Sequence, residues 1–329
     1  MRYIFLLHLL MWPGLVRAFP INARLGYAAC KSCHVSPTGG GTLTEYGKGI
    51  SEESSTWSYE GAGTSSLGAF PGLPHFLLGG DVRTLNFQTG PVQKNLLMQA
   101  DIEGALLLSD QITLVASRGV YGLDLQSYLP SDIPSESRRV YALFAPQEWI
   151  SFRIGSFMPG YGLMIADHAE NIRKGLGFGE GTEAMGCELG LYSGFGELLL
   201  THQPDPLKSA ARLAVYLGES SQIGVSGVAA VGSQSAGGFA ILGFSREIYL
   251  MAEYDRRQVG VNSEDYAWGR LGLEVVRGFH LLYGGWVTGE KSGINIGINW
   301  FPIPHFELLT LAERSGDNSL YQLMTHFYF

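Results

Sequence analysis

Two cysteines three positions apart, followed at once by a histidine, stand near the start of this chain: Cys30-Lys31-Ser32-Cys33-His34. Thiols at that spacing can reach the two vinyl groups of one haem and form thioethers, and the next residue then offers its imidazole to the iron. Two other chemistries use paired cysteines. A redox C-x-x-C expects a thioredoxin-like βαβ setting, and a zinc half-site expects a second Cys or His pair nearby. Neither accompanies the motif, so Cys30, Cys33 and His34 read as the attachment site of one covalent haem c, with His34 as proximal ligand. Cys187 is left over, in a segment where Met185, Leu189 and Leu191 share its parity, and is given no role.

The iron has a second axial position, filled by Met or His in most electron carriers. Between Val35 and Pro74 there is neither. His75, nearest in sequence, is the first distal candidate. His326 and Met324 near the C-terminus are the next, followed by Met158, Met164 and His168 in a long loop. Lys48 and Tyr46 are less usual donors.

Residues before the motif read as an export address. Arg2 provides a positive start, Ile4 to Leu15 are apolar, and Val16-Arg17-Ala18 suits cleavage after residue 18. The apolar stretch is shorter than the roughly 20 residues of a spanning helix. Tyr27-Ala28-Ala29-Cys30 is a weak lipobox, because the apolar region ends well before it. No later run is long and apolar enough for a helical span. Charged residues are only 16%, against about 25% in soluble domains, while Gly numbers 45 and aromatics reach 12%. The net charge of −8 argues against nucleic acid as a partner.

A longer pattern frames the motif: Phe19-Pro20, Arg24, Gly26, the Cys30–His34 run, Pro37, Leu43-Thr44 and Gly47-Lys48. It resembles the N-terminus of the outer-membrane fused cytochrome–porins known from iron-oxidising bacteria, at motif level over residues 18–48 and beyond that only in architecture. The resemblance implies a monohaem segment ahead of a β-barrel. It also implies electron passage across the outer membrane, between an extracellular donor or acceptor (Fe(II) among them) and a periplasmic cytochrome or other carrier. Gly39-Gly40-Gly41 departs from the pattern by lengthening the stretch between Pro37 and Leu43, which weakens the inference to iron as donor.

The rest of the chain must position this site. Period-two apolarity marks sixteen segments: 75–87, 94–108, 111–120, 137–146, 148–157, 182–192, 195–203, 209–218, 221–231, 236–245, 247–258, 265–276, 279–288, 292–302, 304–313 and 318–329. The expected fold is all-β, an antiparallel transmembrane barrel of about 16 strands. A soluble sandwich or propeller would not alternate short turns with longer connections, of which 121–136, 158–181 and 259–264 are the longest. The terminal Phe329 on an alternating strand adds to the outer-membrane reading. Parity sends His75, Asp81, Arg83, Gln99, Asp101, Glu103, Glu253, Asp255, Arg270, Glu274, Asn295 and Asn299 into the lumen.

The expected organisation is a signal peptide (1–18), a haem segment with a Ser/Gly-rich linker (19–72) and a barrel (75–329). So short a segment cannot enclose a haem by itself, so it is expected to lean into the periplasmic mouth or plug the lumen. Residues 159–181 carry Gly spacings like a phosphate loop but lack the strand-then-helix context, and a constriction loop is the better reading. Acidic Asp132, Glu136, Glu180 and Asp265 are candidate cation attractors. Three functions follow: an electron conduit, a passive porin whose haem segment is structural or sensory, and haem catalysis at a vacant distal site.

Overall fold

The computed structural model describes residues 25, 29–58, 73, 75–125, 135–164, 171–178 and 181–329. The signal region 1–18, most of 19–28, the linker 59–72, Asp132, His168 and Glu180 lie outside them. Sixteen strands are present: β1 (Phe76–Thr89), β2 (Val92–Ser109), β3 (Ile112–Asp124), β4 (Val140–Gln147), β5 (Ile150–Phe157), β6 (Ala184–Ser193), β7 (Gly196–Pro204) and β8 (Leu207–Leu217). They continue as β9 (Ser221–Ala230), β10 (Ser233–Gly243), β11 (Ile248–Val259), β12 (Asn262–Val276), β13 (Phe279–Thr288), β14 (Lys291–Trp300), β15 (Phe306–Ser315) and β16 (Asn318–Tyr328). Each pairs antiparallel with its neighbours in sequence, and β1 closes on β16 from Asp81↔Tyr328 to Thr89↔Leu320. Closure leaves no open sheet edge, the condition for a sheet to stand in lipid.

Alternation runs opposite to that of a soluble sheet. Along β8, Ala210, Arg212 and Ala214 are buried inside, while Leu213 and Val215 are exposed outside. Ile102, Ile154, Val225, Ile294 and Ile296 are likewise exposed on the outer wall. Of the residues assigned inward by parity, eleven are at least partly buried, Asp101, Glu103, Asp255, Arg270 and Asn295 almost completely, whereas His75, before the start of β1, is exposed. Buried charges of this kind must be paired. Arg83 Nη2 lies 2.9 Å from Asp81 Oδ2, Arg139 Nε 2.9 Å from Glu103 Oε2, and Arg153 Nη2 2.9 Å from Glu188 Oε1, with Arg212 bonded to Glu197.

One expectation about the connections fails. The end bearing the start of β1 has short turns throughout, as expected. At the other end, however, most connections are two-residue turns as well, including the one between β11 and β12, where 259–264 was expected to be a long loop. The strands extend further than the apolar segments suggested and close on tight hairpins, with Gly260 (φ 58°) supplying the left-handed residue such turns need. The long connections at this end are 125–139 and 158–183.

The second of these turns inward. Tyr161, Leu163, Ile172, Leu176 and Phe178 are almost fully buried against wall residues Phe239, Ile241, Tyr249, Met251, Tyr266 and Trp268. A short helix, α2 (Asn171–Leu176), belongs to this stretch. The start of the loop is tied to the wall: Tyr161 Oη donates to Asp255 (2.6 Å), Leu163 N to Glu253 (3.0 Å), and Arg212 Nε to the Gly162 carbonyl (2.7 Å). The expected constriction loop is therefore a packed lumenal insert.

Candidate functional site

The Cys30–His34 run lies inside the barrel mouth where β1 begins. Cys30–Ser32 form one 3₁₀ turn, with the N–H groups of Cys33 and His34 both bonded to the Cys30 carbonyl. The turn is held by the residues that follow it. Thr44 N donates to Cys33 O (2.9 Å), Val35 N to Thr42 O (3.0 Å), and Thr44 Oγ1 to Ser32 O (2.9 Å). Thr44 also caps α1 (Glu45–Ser54), its Oγ1 accepting from Gly47 N. At Gly47 a Cβ would stand 2.2 Å from the Cys33 carbonyl oxygen, so only glycine lets α1 press against the Cys30–Ser32 turn. The Leu43-Thr44…Gly47-Lys48 pattern thus acts as a clamp on the motif. Lys48 is fully buried and bonded to Glu45, while Tyr46 is exposed.

The wall grips this plug from several sides. Thr42 N donates to Glu103 Oε1 (2.8 Å) and Thr42 Oγ1 to the Glu103 carbonyl. Arg153 reaches Ser36 and Thr38, Ser51 Oγ meets Tyr328 Oη at 3.1 Å and accepts from His305 N, and Thr56 N and Trp57 N donate to Phe301 O and Pro302 O. Lys31 Nζ bonds the Glu148 carbonyl and sits 3.7 Å above the Tyr192 ring; burial lowers its pKa to about 8. The Gly39-Gly40-Gly41 insertion has a structural reason. All three are left-handed (φ 80°, 72° and 64°), and a Cβ on Gly41 would lie 2.0 Å from Glu103 Oε1. The insertion carries the chain past Glu103 and over the motif, where a Cβ on Gly39 would be 3.4 Å from Cys30 Sγ and 3.9 Å from His34 Cδ2.

Glu103 accordingly serves both the wall and the plug. Glu103→Ala strips Arg139 of its closest carboxylate and Thr42 of its acceptor, and is expected to weaken plug docking by about 3 kcal/mol, as for a broken buried pair. Cleavage of residues 29–58 by added protease, with the barrel intact, measures this directly.

The residues present suit a covalent haem. Cys30 and Cys33 are buried thiols, not joined to each other. Burial is the main cause holding the His34 pKa at about 4, with Arg139 adding to it, against the opposing carbonyls of Gly41 and Gly40. The imidazole is therefore neutral at ordinary pH, the state that binds a metal. Cys33 lines a cavity of about 480 Å³, within the range of roughly 300–1,000 Å³ typical of cofactor sites. Leu43, Ile50, Phe301, Tyr328, His280, Arg246 and Arg277 also line it, whereas Cys30 and His34 do not.

The expected distal candidates are not brought together. His75 stands exposed at the start of β1. Both ring nitrogens of His326 face carboxylates, Nδ1 at 2.9 Å from Glu307 and Nε2 at 3.2 Å from Asp81. Met324 packs in a cluster with Leu85, Leu282, Leu309 and Leu311. Met158 and Met164 lie on the lumenal loop. Its Gly160 approaches the plug, a Cβ there being 3.2 Å from Thr38 Cγ2 and 3.5 Å from Met164 Sδ. Two buried histidines went unconsidered in the sequence: His280 on β13 and His305 in the β14–β15 turn. Parity with Glu274 across the β12–β13 turn marks His280 as inward, a signal that could have found it. Of the acidic candidates described, Glu136 pairs with Arg138, and Asp265 is exposed beside Arg256.

No family model matches this chain, and no curated protein does. Solved structures do. A loop-deleted form of OmpT, an outer membrane protein of Vibrio cholerae, aligns with a TM-score of 0.60 at 10% identity, over 77% of this chain and 99% of that one. OmpF of Salmonella typhi, solved in complex with daunomycin, aligns with a TM-score of 0.59 at 10% identity, over 77% and 97%. A mutant of the Rh. blastica porin gives 0.54 at 9% identity, over 77% and 100%. At such identities the likeness is one of architecture, and it establishes that this chain has the closed sixteen-strand barrel fold of the outer-membrane porins.

Proposed function

We propose that this protein is a monohaem cytochrome–barrel of a Gram-negative outer membrane. It moves electrons between an extracellular donor or acceptor, Fe(II) being one possible donor, and a periplasmic redox carrier. The observation that carries this reading is the position of the motif: Cys30, Cys33 and His34 are threaded inside a barrel whose lumen is also filled by the β5–β6 loop. An outer wall of exposed Ile, Val, Leu and Phe, with polar groups turned inward, supports placement in lipid.

Each part of the chain has a task in this reading. Cys30 and Cys33 tether the cofactor, and the neutral His34 imidazole ligates its iron. The plug–wall hydrogen bonds fix the tether relative to the membrane. The loop, packed through Tyr161, Leu163 and Phe178, keeps water and solutes from the site. When bound, the haem supplies reversible one-electron exchange, tuned by ligation and burial. A passive porin is favoured less, because its lumen should be open where this one is occupied twice.

The test is electron transfer into sealed proteoliposomes that enclose an oxidised redox dye, with Fe(II) or another reductant added outside. Haem-loaded wild-type protein should reduce the dye far faster than protein-free vesicles. Absence of covalent haem from protein made alongside a c-type maturation system would end the proposal, as would equal rates with haem-free protein.

A further inference from the structure

We infer that the outer wall between β5 and β11 holds a docking groove for one membrane lipid, a phosphorylated lipid of the leaflet at the end of the barrel away from the plug. The inference rests on the barrel and its register, and is independent of the haem. A groove of about 870 Å³ opens on this face, within the range of ligand sites. Strand register explains its shape. One row across the outer face sets Leu200, Ala211, Gly227, Ala236 and Arg256 side by side. The next row toward the hairpins at that end, about 7 Å on, is His202, Ser209, Ala229, Gln234 and Gln258. Both rows face outward, because the residues that alternate with them (Thr201, Ala210, Arg212, Ser226, Ser235 and Asp255) are buried inside. Phe152, Leu189 and Leu200 form one bank, Arg256 the other, and the small residues make the floor.

Gly227 is the telling residue. Glycine weakens a strand interior and often marks a close approach by another molecule. The inward Gly224 and Gly237 have a reason in the wall, since a Cβ would strike Phe239 at 2.3 Å and Asp255 at 2.1 Å. At Gly227 a Cβ would meet only Ser235 O, at 3.8 Å, and φ is not left-handed. Its missing side chain therefore makes room on the lipid side alone. The headgroup follows from the polar row and from Arg256. That guanidinium is exposed, donates to Ser263 Oγ (3.0 Å) and has Asp265 no nearer than 4.0 Å. A wet pair at that distance is weak, and of its five donors several remain for a phosphate. His202 stands exposed in the polar row, and Gln234 and Gln258 bond each other at 2.9 Å. An acyl chain thus lies over apolar Leu200, Ala211 and Gly227 while a phosphate meets cations above it, the pattern of basic lipid-headgroup sites. A second copy docked by two-fold symmetry would instead bring like cations together.

The test uses the full-length protein in detergent micelles doped with lipid A or with dephosphorylated lipid A, washed by detergent exchange and weighed by native mass spectrometry. Wild type should retain one lipid A and little of the dephosphorylated form. Gly227→Leu, which fills the floor, should retain neither. His202→Gln with Arg256→Gln should lose the preference for phosphate. Heat-modifiable migration checks barrel folding, and Ala211→Leu stands in should Gly227→Leu not fold. Equal retention by wild type and the filled-groove variant would overturn the site. Equal retention of the two lipids by wild type would overturn the headgroup assignment. A wild-type oligomer that the filled-groove variant breaks into single chains would give the face to a second copy instead. None of these readouts involves haem, so failure here leaves the proposed function standing.

Discussion

Replacing Cys30 and Cys33 together by serine is expected to abolish covalent haem completely while the barrel still folds. Both thiols are buried in the plug, and neither supports the fold through a disulfide. Docking of the plug instead runs through Thr42 to Glu103, Ser36 and Thr38 to Arg153, Ser51 to Tyr328 and His305, and Thr56 to Phe301. Serine keeps the size of the site and leaves those bonds in place. Haem stain on a denaturing gel should fall to background, heat-modifiable migration should match wild type, and dye reduction in vesicles should fall with the stain. His34→Ala separates tether from ligand: its stain should persist while the spectrum changes. A double serine variant that still carried covalent haem would show that other residues hold the cofactor.

Excising residues 159–178, with a short Gly-Ser link in their place, is expected to turn a blocked barrel into a conducting one. The loop fills the lumen through Tyr161, Leu163, Ile172, Leu176 and Phe178, and Tyr161 and Phe178 stack at 4.3 Å between centroids. Sixteen-strand barrels without such filling leave an aqueous channel. The plug remains in the opposite mouth, so the single deletion should raise sugar uptake in liposome swelling assays partway. Combining it with removal of residues 29–58 should raise uptake to that of an open porin. The cost is exposure of Phe239, Ile241, Tyr249 and Trp268 to water, so the thermal stability of the deletion should drop as permeability rises. A wild-type protein that already passes sugars at porin rates would contradict the blocked lumen and, with it, the conduit.

Much of this was legible without coordinates, because the signals are local. The Cys30-Lys31-Ser32-Cys33-His34 run stands out in five residues, because the thioether chemistry proposed for it needs its cysteines at one spacing. A membrane barrel imposes period two on every strand, so sixteen segments and their inward residues, from Asp81 to Asn299, can be read from alternation alone. Strand ends were less legible. Polar strand extensions beyond the apolar band look like loop, which is why 259–264 read as a long connection although Gly260 closes a two-residue turn there.

The tertiary structure decided what parity could not: which inward residues face one another across the lumen. Glu103 meets Thr42, Arg153 meets Ser36, and Gly160 of the loop meets Thr38. None of these pairs follows from sequence distance, because closing the barrel brings every strand equally close to the axis. Nearness along the chain favoured His75 as distal ligand, and the fold leaves that residue exposed at the start of β1. The motif and the wall follow from local spacing and alternation; how the plug seats against that wall is a property of the folded barrel.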